Sequence, residues 1–343
     1  MQPKRDVSID LLRIFCCFLV VGIHVSPLYD SFINFDVPDA QKTIALLIQA
    51  LVRAGLPVFF LLSGYYLLNA NVVSLKSFYK RRLASILIPF IIYSLIHYEV
   101  FSLLNGLKGI EGLIGGYFKG LLNATGISIH FWFVYAIIGI YLVAPFINRM
   151  LVAMPQKYTL PAIVILVAIM MYNVYFKALI PGFSIPYLGD WLSYFIIGGL
   201  LNRLPAVKLS TALLLVGVGY ISTCVLTYYQ FRLKNGINFY PFDAGLNMLV
   251  FTCGLTLLFR GRHIEVSERS AKIIAWVSTQ TYGIYLIHAI VLYVTGRHYD
   301  NSWYASAVAQ YTLGMTLFVF VVSLLLTYAI DSALTNRLVR AFK

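Results

Sequence analysis

Ten apolar stretches, each close to the length a helix needs to cross hydrocarbon, decide what this chain can fold into. They lie near 8–29, 42–68, 83–104, 130–152, 159–178, 187–202, 209–230, 243–260, 273–295 and 305–330. A helix rises about 1.5 Å per residue, so about 20 residues span a bilayer core. Hydrophobic residues make up 60% of the chain and charged ones 11%, too few to clothe a soluble globule. The expected fold class is all-α: a polytopic integral membrane protein of about ten transmembrane helices, forming one membrane-embedded domain over 1–343. The longest connections, 30–41, 105–129 and 231–242, are too short to hold another domain.

Orientation follows from the basic residues, because Lys and Arg concentrate in cytoplasmic loops. With the N terminus inside, the outer side receives Lys42, Lys108, Lys119, Lys177, Arg232, Lys234 and Arg297, and Arg13 and Arg53 fall within helices. The other basic residues, from Lys4 and Arg5 through Lys76, Lys80, Arg81 and Arg82 to Arg340 and Lys343, all fall inside. Both termini are therefore expected in the cytoplasm. The first stretch carries Asp10 and Arg13 and lacks a small-x-small cleavage site, so it reads as a retained helix rather than a signal peptide.

The net charge of +13 is spread over short inner loops that face anionic lipid. No basic domain is left to hold nucleic acid, so membrane lipid is the expected partner. Cys16, Cys17, Cys224 and Cys253 sit in the apolar stretches without ligand spacing, and no HExxH pattern occurs. No metal is expected.

Ionisable residues inside the apolar stretches are the candidates for function, since each is costly there unless it is paired or wetted. On the first helix Asp10, Arg13 and His24 fall within roughly 60° of one another on the helical wheel. Arg13 and His24 are separated by roughly 16 Å along the axis, and mark the inner and outer parts of one polar track. The plainer reading is an Asp10–Arg13 salt bridge with a hydrogen-bonded core histidine at 24. His97 and Glu99 lie at a depth similar to that of His24, with His130 and His288 near the same level. Such a group suits proton transfer; interfacial anchoring is the alternative for Glu99, His130 and His288. In the second stretch, Gly55-Leu56-Pro57 loosens the helix, Ser63 can meet freed backbone or a ligand, and Arg53 needs a partner that cannot be named from the sequence. The run Phe78-Tyr79-Lys80-Arg81-Arg82 places guanidinium groups at the inner edge, where they either fix topology or bind phosphate.

These runs together resemble the family-3 membrane acyltransferases, which include bacterial O-acetyltransferases of surface polysaccharides. The resemblance begins at Ile9-Asp10-Leu11-Leu12-Arg13 and reaches His24 in an Arg-x10-His pattern. It continues through Phe59-Phe60-Leu61-Leu62-Ser63-Gly64-Tyr65, the stretch from Lys80 to Pro89, and His130-Phe131-Trp132-Phe133-Val134-Tyr135. Tyr141-Leu142-Val143-Ala144-Pro145, Tyr194-Phe195-Ile196-Ile197-Gly198-Gly199 and Tyr282-Gly283-Ile284-Tyr285-Leu286-Ile287-His288 complete it.

The resemblance implies transfer of an acetyl group from cytoplasmic acetyl-CoA to a hydroxyl of a glycan or lipid-linked saccharide, at the bacterial inner (plasma) membrane. It maps the family's functional arginine and histidine onto Arg13 and His24, with Asp10 and Glu99 as candidate supporting carboxylates. Lys80, Arg81, Arg82 and Ser63 are the expected donor contacts, and His130, Trp132, Tyr285 and His288 the expected acceptor contacts. Family members often carry a third arginine where this chain has Ser85. The rival reading from another class is a transporter or flippase, for which no duplicated half is apparent.

Overall fold

The computed structural model describes residues 6–70, 74–104, 110–180, 182–232, 238–243, 245–296 and 301–342. Lys4, Arg5, Lys108, Lys234, Arg297 and Lys343, used above for orientation, lie outside them. The described residues form helices and turns, with no strand among them.

In chain order the α-helices are α1 Val7–Val25, α2 Tyr29–Phe32, α3 Asp39–Val52, α4 Gly55–Leu67, α5 Leu75–Leu104, α6 Ile110–Leu121 and α7 Trp132–Ala153. They continue as α8 Thr159–Met171, α9 Asp190–Arg203, α10 Leu209–Arg232, α11 Leu246–Phe259, α12 Glu268–Thr295, α13 Asn301–Ile330 and α14 Asn336–Phe342. Eight segments among the described residues are long and apolar enough to cross a membrane. The sixth and eighth expected helices are shorter: α9 and α11 have 14 residues each. That is about 21 Å of helix, less than a bilayer core. Both are largely buried, so protein rather than lipid surrounds them.

Three expectations change in detail. The stretch 42–68 is two helices, because the chain turns at Arg53 and Ala54 before Pro57. The basic run 76–82 is not a loop but the first turns of α5. The connections 30–41 and 105–129 contain α2 and α6.

The chain packs as two compact units. The first comprises 1–70, 146–278 and 300–316, and the second 71–145, 279–299 and 317–343. The core of the first joins three helical stripes: Ile9, Leu12 and Cys16 on α1; Ala54, Val58 and Leu62 at and along α4; Met248, Phe251 and Leu255 on α11. Their three- and four-residue spacing is that of single helix faces. Asp6 caps α1, accepting from the Ser8 and Ile9 amides at 3.0 and 3.4 Å. The Ser8 hydroxyl reaches the Phe259 carbonyl at the end of α11, at 2.8 Å.

Each short helix lies against a neighbour through glycine. A Cβ on Gly64 of α4 would meet the Phe195 carbonyl of α9, and one on Gly198 of α9 would meet the Leu61 carbonyl of α4. Likewise Gly219 of α10 faces the Phe251 backbone, and Gly254 of α11 faces Leu215 and Val216. Backbones come this close only where side chains are absent, which is how helices gain dispersion contact in lipid. The opposite faces of α8 and α10 expose Leu160, Val164 and Ile165, and Leu213, Leu214 and Ile221, as lipid-facing residues should.

The two ends of the first unit hold irregular backbone that side chains satisfy. At one end α13 is interrupted at Ala307, where Gln41 accepts from the Val308 amide at 3.0 Å and donates to the Ser306 carbonyl at 3.2 Å. At the other Arg260 donates to the Leu201, Asn202 and Leu204 carbonyls, closing the C-terminus of α9. In the second unit, Tyr93 of α5 donates to Asp331 Oδ1 at 3.0 Å and Tyr282 of α12 to the Ile86 carbonyl at 3.1 Å.

Gly64→Val should force α4 off α9 and cost about 1–3 kcal/mol, as overpacking generally does. In detergent it should lower the apparent melting temperature, whereas Gly139→Ala, whose added methyl meets nothing within 4 Å, should leave it unchanged.

Candidate active site

The long face of α1 predicted from the wheel is present, and its residues take different partners. Asp10 is buried and accepts from Ser278 Oγ of α12 at 2.6 Å, so its carboxylate ties two helices together. Arg13 is half-buried, with its guanidinium carbon 5.2 Å from the centre of the Tyr66 ring. His24, in the last turn of α1, is exposed.

Around His24 stands a cluster that the sequence did not assemble. Two contacts hold α1 to α3 here: a Cβ on Gly22 would lie 3.0 Å from Val52, and Gln49 donates to Ser26 Oγ at 2.6 Å. Gln49 also accepts from Arg53 Nε at 3.3 Å, so a bonded chain runs from Ser26 to Arg53. The Arg53 guanidinium lies 4.8 Å from the centre of the Phe242 ring, close enough to His24 to interact with it electrostatically. Its charge is countered by Asp243 and Asp30. This answers the question that Arg53 posed in the sequence. Two of its partners, Phe242 and Asp243, come from a loop far along the chain, a separation no local pattern can signal.

Asp243 sits in that loop with φ of 51°, in the left-handed region that Asp tolerates better than most residues. Tyr194 of α9 donates to its carbonyl oxygen at 2.7 Å. Asp190 lies one helical turn before Tyr194 and on the same face, where its charge and that of Asp243 interact. Burial pushes the Asp243 carboxyl up from the usual carboxylate range, and the Arg53 guanidinium pulls it back. His24 and Asp243 are accessible to solvent, and Arg53 is half-buried. Trp191 stacks on Phe60 at 4.7 Å beside them on α9.

The second unit gathers the histidines. His97 of α5, His130 of the turn Ile129–Phe131 and His288 of α12 are buried, with ring centres 5.3 Å apart for His97 and His130 and 4.8 Å for His130 and His288. A carbonyl can only accept, so His97 donates from Nε2 to the Leu286 oxygen at 2.7 Å and His288 from Nδ1 to the Tyr285 oxygen at 2.6 Å. His130 Nδ1 meets Ser128 Oγ at 2.9 Å, and the Tyr285 hydroxyl donates to the His130 carbonyl. Interfacial anchoring is thus replaced by a buried node for His130 and His288. His97 packs in the same node. No group of three His, Cys, Asp or Glu among the described residues could hold a metal ion.

The remaining expected residues fall as follows. Glu99 is half-buried and, two positions beyond His97, points about 200° away from it on the helix, outside the node. Trp132 opens α7 half-buried, and Ser63 is half-buried on α4 beside Gly64. Lys80, Arg81 and Arg82 are exposed in the early turns of α5. Arg81 Nε donates to the Ser77 carbonyl of its own helix at 3.2 Å, and Ser85 donates to the Arg82 carbonyl at 2.8 Å.

Compared with known families, residues 6–331 match the acyltransferase-3 profile, described as an acyltransferase domain. The chain belongs to the acyltransferase-3 family. No curated relative and no solved structure matches it. Family membership makes this a membrane acyltransferase, and the match runs from α1 with His24, through α12 with His288, to the end of α13.

The Ser26–Gln49–Arg53 chain should carry measurable stability in this acyltransferase. Gln49→Leu leaves Ser26 and Arg53 without their bonds, and should cost about 1–3 kcal/mol, read as a lowered melting temperature in detergent.

Proposed function

We propose that this membrane acyltransferase moves an acetyl group from cytoplasmic acetyl-CoA to a hydroxyl of a cell-surface or lipid-linked glycan, in a bacterial inner membrane. One contrast among basic residues carries the reading. Arg203 and Arg260 spend their donors on backbone carbonyls at helix ends. Arg81 and Arg82 leave their terminal guanidinium nitrogens open on the exposed first turns of α5, beside exposed Lys80. Open guanidinium forks suit the phosphates of a nucleotide donor, which they can grip in bidentate fashion. Oriented as the basic residues indicate, they face the compartment that holds acetyl-CoA.

His24 supplies the chemistry. Its ring is accessible at the opposite end of α1 from Asp10 and Arg13, where an acceptor hydroxyl can approach it. As general base, His24 takes the hydroxyl proton while the oxygen attacks the thioester carbonyl. The carbon–sulfur bond then breaks, the ester forms, and the proton passes from the imidazolium to the leaving thiolate. Arg13 stays half-buried in the inner part of the same helix as a fixed positive charge along the track. Asp10 serves this arrangement by anchoring α1 to α12 through Ser278. The buried bonding of His130, Tyr285 and His288 suits positioning of α12 and the start of α7 better than direct contact with sugar, and Glu99 has no role in the step.

His24→Ala should abolish acetyl transfer to envelope glycans, measured by mass analysis, while the protein still accumulates in the membrane; full activity would sink the assignment. Arg81→Gln with Arg82→Gln should raise the KM for acetyl-CoA about tenfold or more, the loss expected for charge-assisted phosphate contacts. An unchanged KM would leave the pair with topology alone.

A further inference from the structure

We infer that Arg53, Asp243 and Asp190 form the acceptor subsite beside His24, and that the sugar unit held there is uncharged. This rests on the acetyl-transfer reading above and adds to it which residues hold the acceptor and what charge it bears.

Three features mark a built site rather than a chance grouping. Arg53 is fixed at its Nε by Gln49 and across its face by Phe242, and its two terminal amino groups have no hydrogen-bond partner among the described residues. A pinned stem with an open fork is a preorganised double donor. Asp243 is held in the left-handed backbone region, its carbonyl taken by Tyr194, and it is exposed, which leaves its carboxylate available as an acceptor. Asp190 Oδ1 is buried without a hydrogen-bond partner among the described residues, in electrostatic contact with Asp243. An open guanidinium countered by Asp243, with the orphaned Asp190 oxygen in electrostatic contact with Asp243 in turn, asks for a ligand that both donates and accepts. Hydroxyl pairs of a sugar do both, and Trp191, stacked on Phe60, supplies an aromatic surface on the same turn of α9.

Charge decides the class. Asp243 and Asp30 already counter the Arg53 guanidinium, and Asp190 adds a further carboxylate. A carboxylate or phosphate on the sugar would meet these acids as well as the arginine, so an anionic unit gains little where a neutral one gains the hydrogen bonds of all three.

The test uses the full-length protein in detergent with radiolabelled acetyl-CoA and a polar glycolipid extract of the host envelope as acceptor. Arg53→Gln and Asp243→Asn should each raise the half-saturating concentration of extract about tenfold, the loss expected for a hydrogen bond to a charged group. The half-saturating acetyl-CoA concentration should stay that of the unsubstituted protein, which also shows the variants are folded. Arg53→Lys should recover part of the loss, and a large excess of methyl glucoside should inhibit transfer where the same excess of glucuronate does not. Unchanged extract dependence in both variants, or inhibition by glucuronate equal to that by methyl glucoside, overturns the inference. If the unsubstituted protein moves no label into the extract, the acetyl-transfer reading fails first. If it does and His24→Ala does not, while both subsite variants behave normally, only the subsite fails.

Discussion

Inside hydrocarbon a polar group has no water to bond, and that constraint shapes each irregular point of this chain. The interruption of α13 at Ala307 persists because Gln41 takes both backbone groups it frees. The ends of α9 and α7 close on arginine forks, Arg260 on one and Arg203 on the other. Ser278 covers the Asp10 carboxylate. Against that pattern, charged side chains that keep open groups close together stand out. Arg53, Asp243 and Asp190 do so together, next to the accessible ring of His24.

The same constraint explains why the fold was largely legible in the sequence. Length and apolarity report what lipid requires, and the segments placed by those two properties are all helices. The limits of the reading are physical too. A 14-residue helix such as α9 or α11 satisfies the same apolar pattern as a spanning one, and only its burial in protein tells them apart. The break at Arg53 was signalled by Gly55 and Pro57, but those residues also occur in helices that run on. The reason for Gly55 emerges only in three dimensions: a Cβ there would lie 2.7 Å from the Cys16 carbonyl, so α4 lies directly on α1.

The candidate site divides along a similar line. Residues within one helix were legible, since the wheel places Asp10, Arg13 and His24 on one face without any tertiary knowledge. Residues that meet across the chain were not. His97 was noticed for its depth, yet its tie to Leu286 spans 189 residues. Asp243 falls at the edge of the apolar stretch 243–260, and nothing local marks it as the counter-charge to Arg53. Conversely, His130, Tyr285 and His288 were expected to contact the acceptor, and their burial in one node is a tertiary property that no local pattern reports.

Electrostatics gives the division of basic residues its meaning. Guanidinium groups occur here in three states: spent on backbone carbonyls, as in Arg203 and Arg260; open and exposed, as in Arg81 and Arg82; and open but flanked by acids, as in Arg53. The first state stabilises helix ends against the dipole of their carbonyls. The second attracts multiply charged anions, because no neighbouring carboxylate offsets it among the described residues. The third has its attraction for anions offset by the flanking acids, yet keeps its terminal amino donors for a neutral partner. The proposed transfer from an anionic donor to a hydroxyl acceptor would draw on the last two states, of which this chain carries one on the first turns of α5 and the other at the junction of α3 and α4.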